Sequence, residues 1–148
     1  MSKKDDIQSA FKEAFIAKDD FAKTVLGGLK SAILYEEVAK GKKDSGLSDD
    51  EVISVVAKQV KQREDAAKLF TDGGAEDKAA KEIREKEVLA QFLPVQLSDE
   101  ELAEKVREIG AEFDETKKGQ LIGAVKKSVG ASADGARIAK SVQDFFAK

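Results

Sequence analysis

Apolar positions along the chain recur at intervals of three and four residues, and no segment alternates with a period of two. Ile7, Phe11 and Phe15, with Ala10 and Ala14 beside them, form one helical stripe over residues 7–18. Asp19-Asp20 interrupts the stripe and is placed to cap a second helix, in which Phe21, Val25, Leu29 and Ile33 keep the same rhythm. That helix is predicted to end near Gly41, with Lys40 favourably placed in its last turn. Ser48 and Glu51 then make an S-x-x-E capping box, and Leu47 and Val52 occupy the two positions of a hydrophobic staple. Val52, Val55, Val56, Val60, Ala67 and Phe70 continue the apolar face as far as Gly73-Gly74. The spacing predicts a helix of about 24 residues, about 36 Å long at about 1.5 Å per residue.

A densely charged helix is predicted over 75–93, with Ile83, Leu89, Phe92 and Leu93 as its apolar side and Pro94 as its end. Joined through two glycines, these two helices should form an antiparallel hairpin. The staple and box recur at Leu97-Ser98-Asp99-Glu100-Glu101-Leu102, opening a helix that should reach about Phe113. Beyond Asp114-Glu115-Thr116 a helix is predicted over 117–129, stopped by Gly130, and Asp134 should cap a last helix carrying Ile138, Val142, Phe145 and Phe146. The chain therefore reads as all-α. The break at Pro94 divides it into an N-terminal helical subdomain, 1–94, built on the long hairpin, and a small C-terminal three-helix bundle, 95–148.

Composition narrows the chemistry. The 148 residues include no Cys and no His, so the thiolate nucleophile, the thiolate metal site and the commonest general base and metal ligand are all missing. No Walker A loop, G-x-G-x-x-G or nucleophile elbow is present, and no carboxylate sits in an apolar run that would raise its pKa. No catalytic residue, no metal site and no cofactor are expected. The chain has no apolar run long enough to span a membrane, and Met1-Ser2-Lys3-Lys4-Asp5-Asp6 is not the apolar stretch of a secretory signal. With the absence of Cys, this suggests a cytoplasmic protein.

Charge is unevenly spread. Residues 116–148 carry Lys117, Lys118, Lys126, Lys127, Arg137, Lys140 and Lys148 against Asp134 and Asp144, a net of +5, which leaves −8 for the remainder of a chain whose total is −3. A locally basic end on an acidic protein suits contact with a polyanion at one place. Within 117–129, Leu121, Ile122, Val125 and Val129 share one face, while Gly119 and Gly123 lie together on the other side between Lys126 and Lys127. A helix-interior glycine costs about 1 kcal/mol relative to Ala. Two reasons for such a pair stand side by side: a phosphate backbone approaching closely beside the lysines, or a second helix packed into the same groove.

Several stretches together resemble the YqeY family, stand-alone relatives of the C-terminal tail domain of GatB, a subunit of the glutamine-dependent tRNA amidotransferase. They are Leu29-Lys30-Ser31-Ala32-Ile33, Glu36-Glu37-Val38-Ala39-Lys40-Gly41-Lys42, Leu47-Ser48-Asp49-Asp50-Glu51-Val52 and Lys61-Gln62-Arg63-Glu64-Asp65. The series continues with Glu87-Val88-Leu89, Phe92-Leu93-Pro94, Gln96-Leu97-Ser98 and Ala133-Asp134-Gly135. The resemblance implies two all-helical subdomains, the second shared with the GatB tail, which is implicated in holding tRNA. It also implies a label of glutamine-dependent carbon–nitrogen ligase by kinship only, one that the missing thiol and imidazole do not support. Gly27 and Ser132 stand where relatives often carry basic residues. The expectation is a non-catalytic adapter that contacts tRNA through Lys117, Lys118, Gly119, Gly123, Lys126, Lys127, Arg137 and Lys140. The alternative is a protein–protein interaction module with no RNA partner.

Overall fold

A computed structural model of the protein describes residues 2–147. Among them are seven α-helices and no strand: α1 (Lys3–Ile16), α2 (Asp20–Ala39), α3 (Asp49–Asp72), α4 (Glu76–Ala90), α5 (Asp99–Gly110), α6 (Lys118–Val129) and α7 (Gly135–Ala147). Short 3-10 turns at Glu115–Lys117 and Gly130–Ser132 flank α6.

The helix starts are set by local hydrogen bonding. Ser48 Oγ accepts from the Glu51 amide at 3.2 Å, and the Glu51 carboxylate accepts from the Ser48 amide at 3.0 Å. Ser98 and Glu101 repeat the pair at 3.1 and 3.0 Å. A third box, between Ser2 and Asp5, starts α1 four residues earlier than its apolar stripe predicted. The helix stops need positive φ at three glycines: Gly41 (φ 68°) follows the last turn of α2, Gly74 (φ 79°) turns the chain out of α3, and Gly130 (φ 56°) ends α6.

The backbone contacts gather into two compact units that divide between Leu93 and Pro94. In the first, α3 and α4 form the hairpin, with Arg63 Nε 3.0 Å from a Glu85 carboxylate oxygen and Lys86 Nζ 3.7 Å from that of Glu64. α1 and α2 pack on one another, and both contact α3. The core is Ile7, Leu26, Leu29, Ile33, Val52, Val56, Val60, Leu89 and Phe92, together with Leu47 of the staple. In the second unit Leu102, Val106, Leu121, Val125, Ile138 and Val142 from three helices close a separate core. Fully burying one such side chain contributes about 1.5–3 kcal/mol.

Four expectations change. α5 ends at Gly110 rather than about Phe113, where the Phe113 amide tightens onto the Gly110 carbonyl at 3.0 Å. α4 stops at Ala90 rather than 93, because the amides of Phe92 and Leu93 tighten onto the carbonyls of Leu89 and Ala90, and Leu93 precedes a proline that disfavours helical backbone. Ile83, expected on the inner face of that helix, is exposed, and Ala79 is buried in its stead. Phe15 continues the α1 stripe in sequence but is 60% exposed, because α1 buries only the arc of Ile7 and Ala14.

Among the described residues one charged side chain is buried. Glu37, near the end of α2, is 4% exposed. Its Oε2 accepts from Lys4 Nζ at 2.8 Å and from the Leu47 amide at 3.0 Å, so it ties the start of α1 and the loop before α3 to α2. The Lys4 hydrogen bond, helped by the Leu47 amide, holds its pKa below the ordinary value of 4.5 against the opposing effect of burial.

Candidate nucleic-acid interface

α6 is amphipathic by exposure as well as by sequence. Leu121 and Val125 are fully buried against α5 and α7. The opposite arc carries Gly119, Gly123, Lys126 and Lys127, all exposed. A Cβ built on either glycine meets nothing within 4 Å. No helix of this unit therefore fills the space above them, and packing within the bundle does not account for them. The exposed Lys117 lies in the 3-10 turn that leads into α6, while Lys118, at its first residue, is half-buried. Asp114 caps that turn by accepting from the Thr116 amide at 3.0 Å and from the Thr116 hydroxyl, which holds the carboxyl below its ordinary range.

Lys126 leans across the start of α7. Its Cε and Nζ each lie 3.3 Å from where a Cβ on Gly135 would sit, so the glycine leaves room for the lysine. Asp134 accepts from the Arg137 amide at 2.8 Å and caps α7. The caps leave the α6 lysines unengaged: among the described residues no carboxylate lies within 4.0 Å of Lys117, Lys118, Lys126 or Lys127.

The remaining two expected residues are placed differently. Arg137 is half-buried, and its Nη2 donates to the Leu97 carbonyl at 2.6 Å and to Asp99 at 2.9 Å. It fastens the start of α5 to α7, and its charge is already answered. Lys140 is exposed beside a groove of about 620 Å³ between α5 and α7, which also carries Arg107, Asp99, Asp144 and Phe145. That groove mixes both signs of charge, whereas the outer arc of α6 carries only cations.

The sequence reading missed Gly110. It is buried at the end of α5, and a Cβ there would lie 2.8 Å from Phe145 Cε2 and 3.2 Å from Leu121 Cδ2. The available signal was the stripe Leu102, Val106, Gly110 at intervals of four, which places a glycine on the apolar face. Within this unit Gly110 serves packing, and Gly119 and Gly123 do not. Among the described residues no group of three or more acidic side chains is arranged to hold a metal ion, and no helix is long and apolar enough to cross a membrane.

The family model described as Yqey-like protein matches residues 4–146. The chain belongs to the YqeY family. Relatives of this YqeY-family chain include proteins named "Altered inheritance of mitochondria protein 41, mitochondrial" in three yeasts. That of Clavispora lusitaniae is 33% identical over 121 residues, which is 80% of this chain and 68% of the relative. That of Kluyveromyces lactis is 32% identical over 113 residues, or 74% and 60%. That of Lachancea thermotolerans is 31% identical over 125 residues, or 82% and 65%. The matches thus cover between 60% and 68% of the length of these three relatives. Their names correct the cytoplasmic expectation, because all of them are called mitochondrial. The physical reason is that a Cys-free composition carries no address, and the apolar stretch sought at the N-terminus marks secretion alone.

Proposed function

We propose that this YqeY-family protein is a non-catalytic helical adapter that contacts RNA, tRNA by its resemblance to the GatB tail, through the outer arc of α6. The observation that carries the reading is the open space above Gly119 and Gly123, flanked by the exposed Lys126 and Lys127. Two glycines that weaken a helix without serving its packing make sense where another backbone comes close. Lysines unpaired by carboxylates on both sides suit a phosphate backbone. Arg137 supports this surface by holding α7 in place and is not itself a contact, and Lys140 lies to one side of it.

The test is filter binding of tRNA to the full chain across a salt series. With the exposed Lys117, Lys126 and Lys127 as about three phosphate contacts, affinity should fall with a log–log slope of roughly −3. Lys126→Glu combined with Lys127→Glu should abolish binding and leave the helical circular dichroism unchanged, because neither side chain reaches the core. Binding that is absent at low salt, or indifferent to this double change, would give first place to the interaction-module reading.

A further inference from the structure

We propose that the groove between α1 and α2 is a docking site for an amphipathic helix of a partner protein, one whose apolar stripe is flanked by acidic residues. The groove encloses about 650 Å³, and Gln8, Phe11, Gly27, Lys30 and Leu34 line it. Its apolar surface extends along both helices. Phe15 follows Phe11 by one turn on α1, and Val38 follows Leu34 by one turn on α2. Phe15, Leu34 and Val38 are 60%, 50% and 58% exposed. Spacing at i, i+4 on two adjacent helices makes a trough, the shape into which a third helix lays an apolar stripe.

The charges along the trough specify what flanks that stripe. Lys30 Nζ lies 4.3 Å from the Phe11 ring centroid, and Lys23 Nζ lies 4.8 Å from that of Phe15. These lysines rest on aromatic faces, and among the described residues no carboxylate lies within 4.0 Å of either. They are seven residues apart on α2, which sets two cations about 10 Å apart along the trough. A partner helix with acidic residues at the same interval meets both. The carboxylates on the groove are Asp5, at its α1 end, and Glu37, whose charge is answered by Lys4.

Gly27 lies between the two lysines. A Cβ there would meet only Phe11 Cε2, at 3.7 Å, an ordinary contact, so the fold accepts a side chain at this position. A glycine that weakens a helix interior with no packing reason keeps the floor of the trough clear for close approach. Three other occupants fit less well. A second copy laid on the same face would set Lys23 and Lys30 against their own counterparts. The ring faces that a nucleic acid would need for stacking are covered by the lysines. A membrane surface is broad and flat, and a trough between two helices offers it less contact than it offers a third helix laid along it.

The experiment uses the full chain and a fluorescent designed helical peptide of about 18 residues, with one leucine stripe flanked by glutamates, beside the same peptide with lysines replacing the glutamates. Anisotropy should show the glutamate peptide binding at least about tenfold more tightly, with the preference shrinking in salt. Lys23→Glu with Lys30→Glu should reverse the preference. Gly27→Gln should weaken binding about tenfold while the melting temperature holds or rises, because the substitution fills the trough and favours the helix. Gly28→Ala, which faces a separate small cavity with Thr24 and Arg63, should leave binding unchanged. Lys126→Glu with Lys127→Glu should also leave it unchanged, so this proposal and the RNA reading fail separately. Equal binding of the two peptides, no detectable binding of the glutamate peptide, or indifference to Gly27→Gln would overturn the proposal. So would anionic vesicles or tRNA binding through Lys23 and Lys30 with no peptide preference.

Discussion

At the residue scale, burial decides what a glycine or a carboxylate is for. Gly110, Gly119 and Gly123 are alike in sequence, each within or at the end of a helix. The first is hemmed in by Phe145 and Leu121, and the other two face open space. Gly110→Ala should therefore destabilise the protein, by about 1 kcal/mol after the gain in helix propensity, because a well-filled core has no room for the added methyl group. Gly119→Ala and Gly123→Ala should each stabilise it, by up to about 1 kcal/mol. Urea unfolding measures all three, and a loss of stability at either α6 position would show that the arc is packed. Glu37 makes the same point for charge. Glu37→Ala orphans the Leu47 amide, buried beside it, and frees Lys4, and it should cost about 1–3 kcal/mol in the same assay. An unchanged midpoint would mean that water replaces the carboxylate there.

At the element scale, the caps are the most local devices in the chain and respond to pH. Ser48→Ala and Ser98→Ala should each destabilise by about 0.5–2 kcal/mol. Glu51 receives the Ser48 amide and the ammonium groups of Lys42, at 2.9 Å, and Lys40, at 3.3 Å. Those bonds, the Ser48 amide first, lower its pKa from 4.5 to about 2. A carboxyl depressed in the folded state stabilises the protein above its unfolded pKa and loses that contribution as pH falls through the folded value. The melting temperature should accordingly drop between about pH 4.5 and about pH 2, with Glu101 and Glu37 acting in the same direction. Glu51→Gln should lower stability at neutral pH and flatten that drop. A variant that melts in parallel with the native protein across this range would remove Glu51 from the account.

At the scale of the whole molecule, the proposed function rests on exposed surfaces. With neither Cys nor His in its 148 residues, the purified protein should release no ammonia from glutamine, alone or with aminoacylated tRNA, in a coupled glutamate dehydrogenase assay. Turnover that followed the protein through repeated purification would refute the non-catalytic reading. The two exposed surfaces proposed as contacts are both mid-helix arcs where glycine lies among lysines, one on α2 and one on α6. They differ in what surrounds the glycines: exposed apolar side chains and Phe rings around Gly27, and only lysine and open space around Gly119 and Gly123.

The sequence by itself determined the helices and most of their limits. A capping box closes between residues three apart, a staple between residues five apart, and a glycine stop within a single turn. Ser48, Ser98, Gly74 and Gly130 therefore act as their local sequence indicates. It also placed Lys126 and Lys127 beside Gly119 and Gly123, because a helical face follows from spacing alone. Tertiary structure decided which stripes were covered and which charges were answered. Phe15 and Ile83 lie on apolar stripes, yet no helix covers either and both stay exposed. Glu37 finds Lys4 from 33 positions away, and Arg137 finds Asp99 from 38. Each of these outcomes depends on a neighbour brought in from a distant part of the chain. Periodicity fixes the direction in which a side chain leaves its helix, and only packing supplies what it meets there.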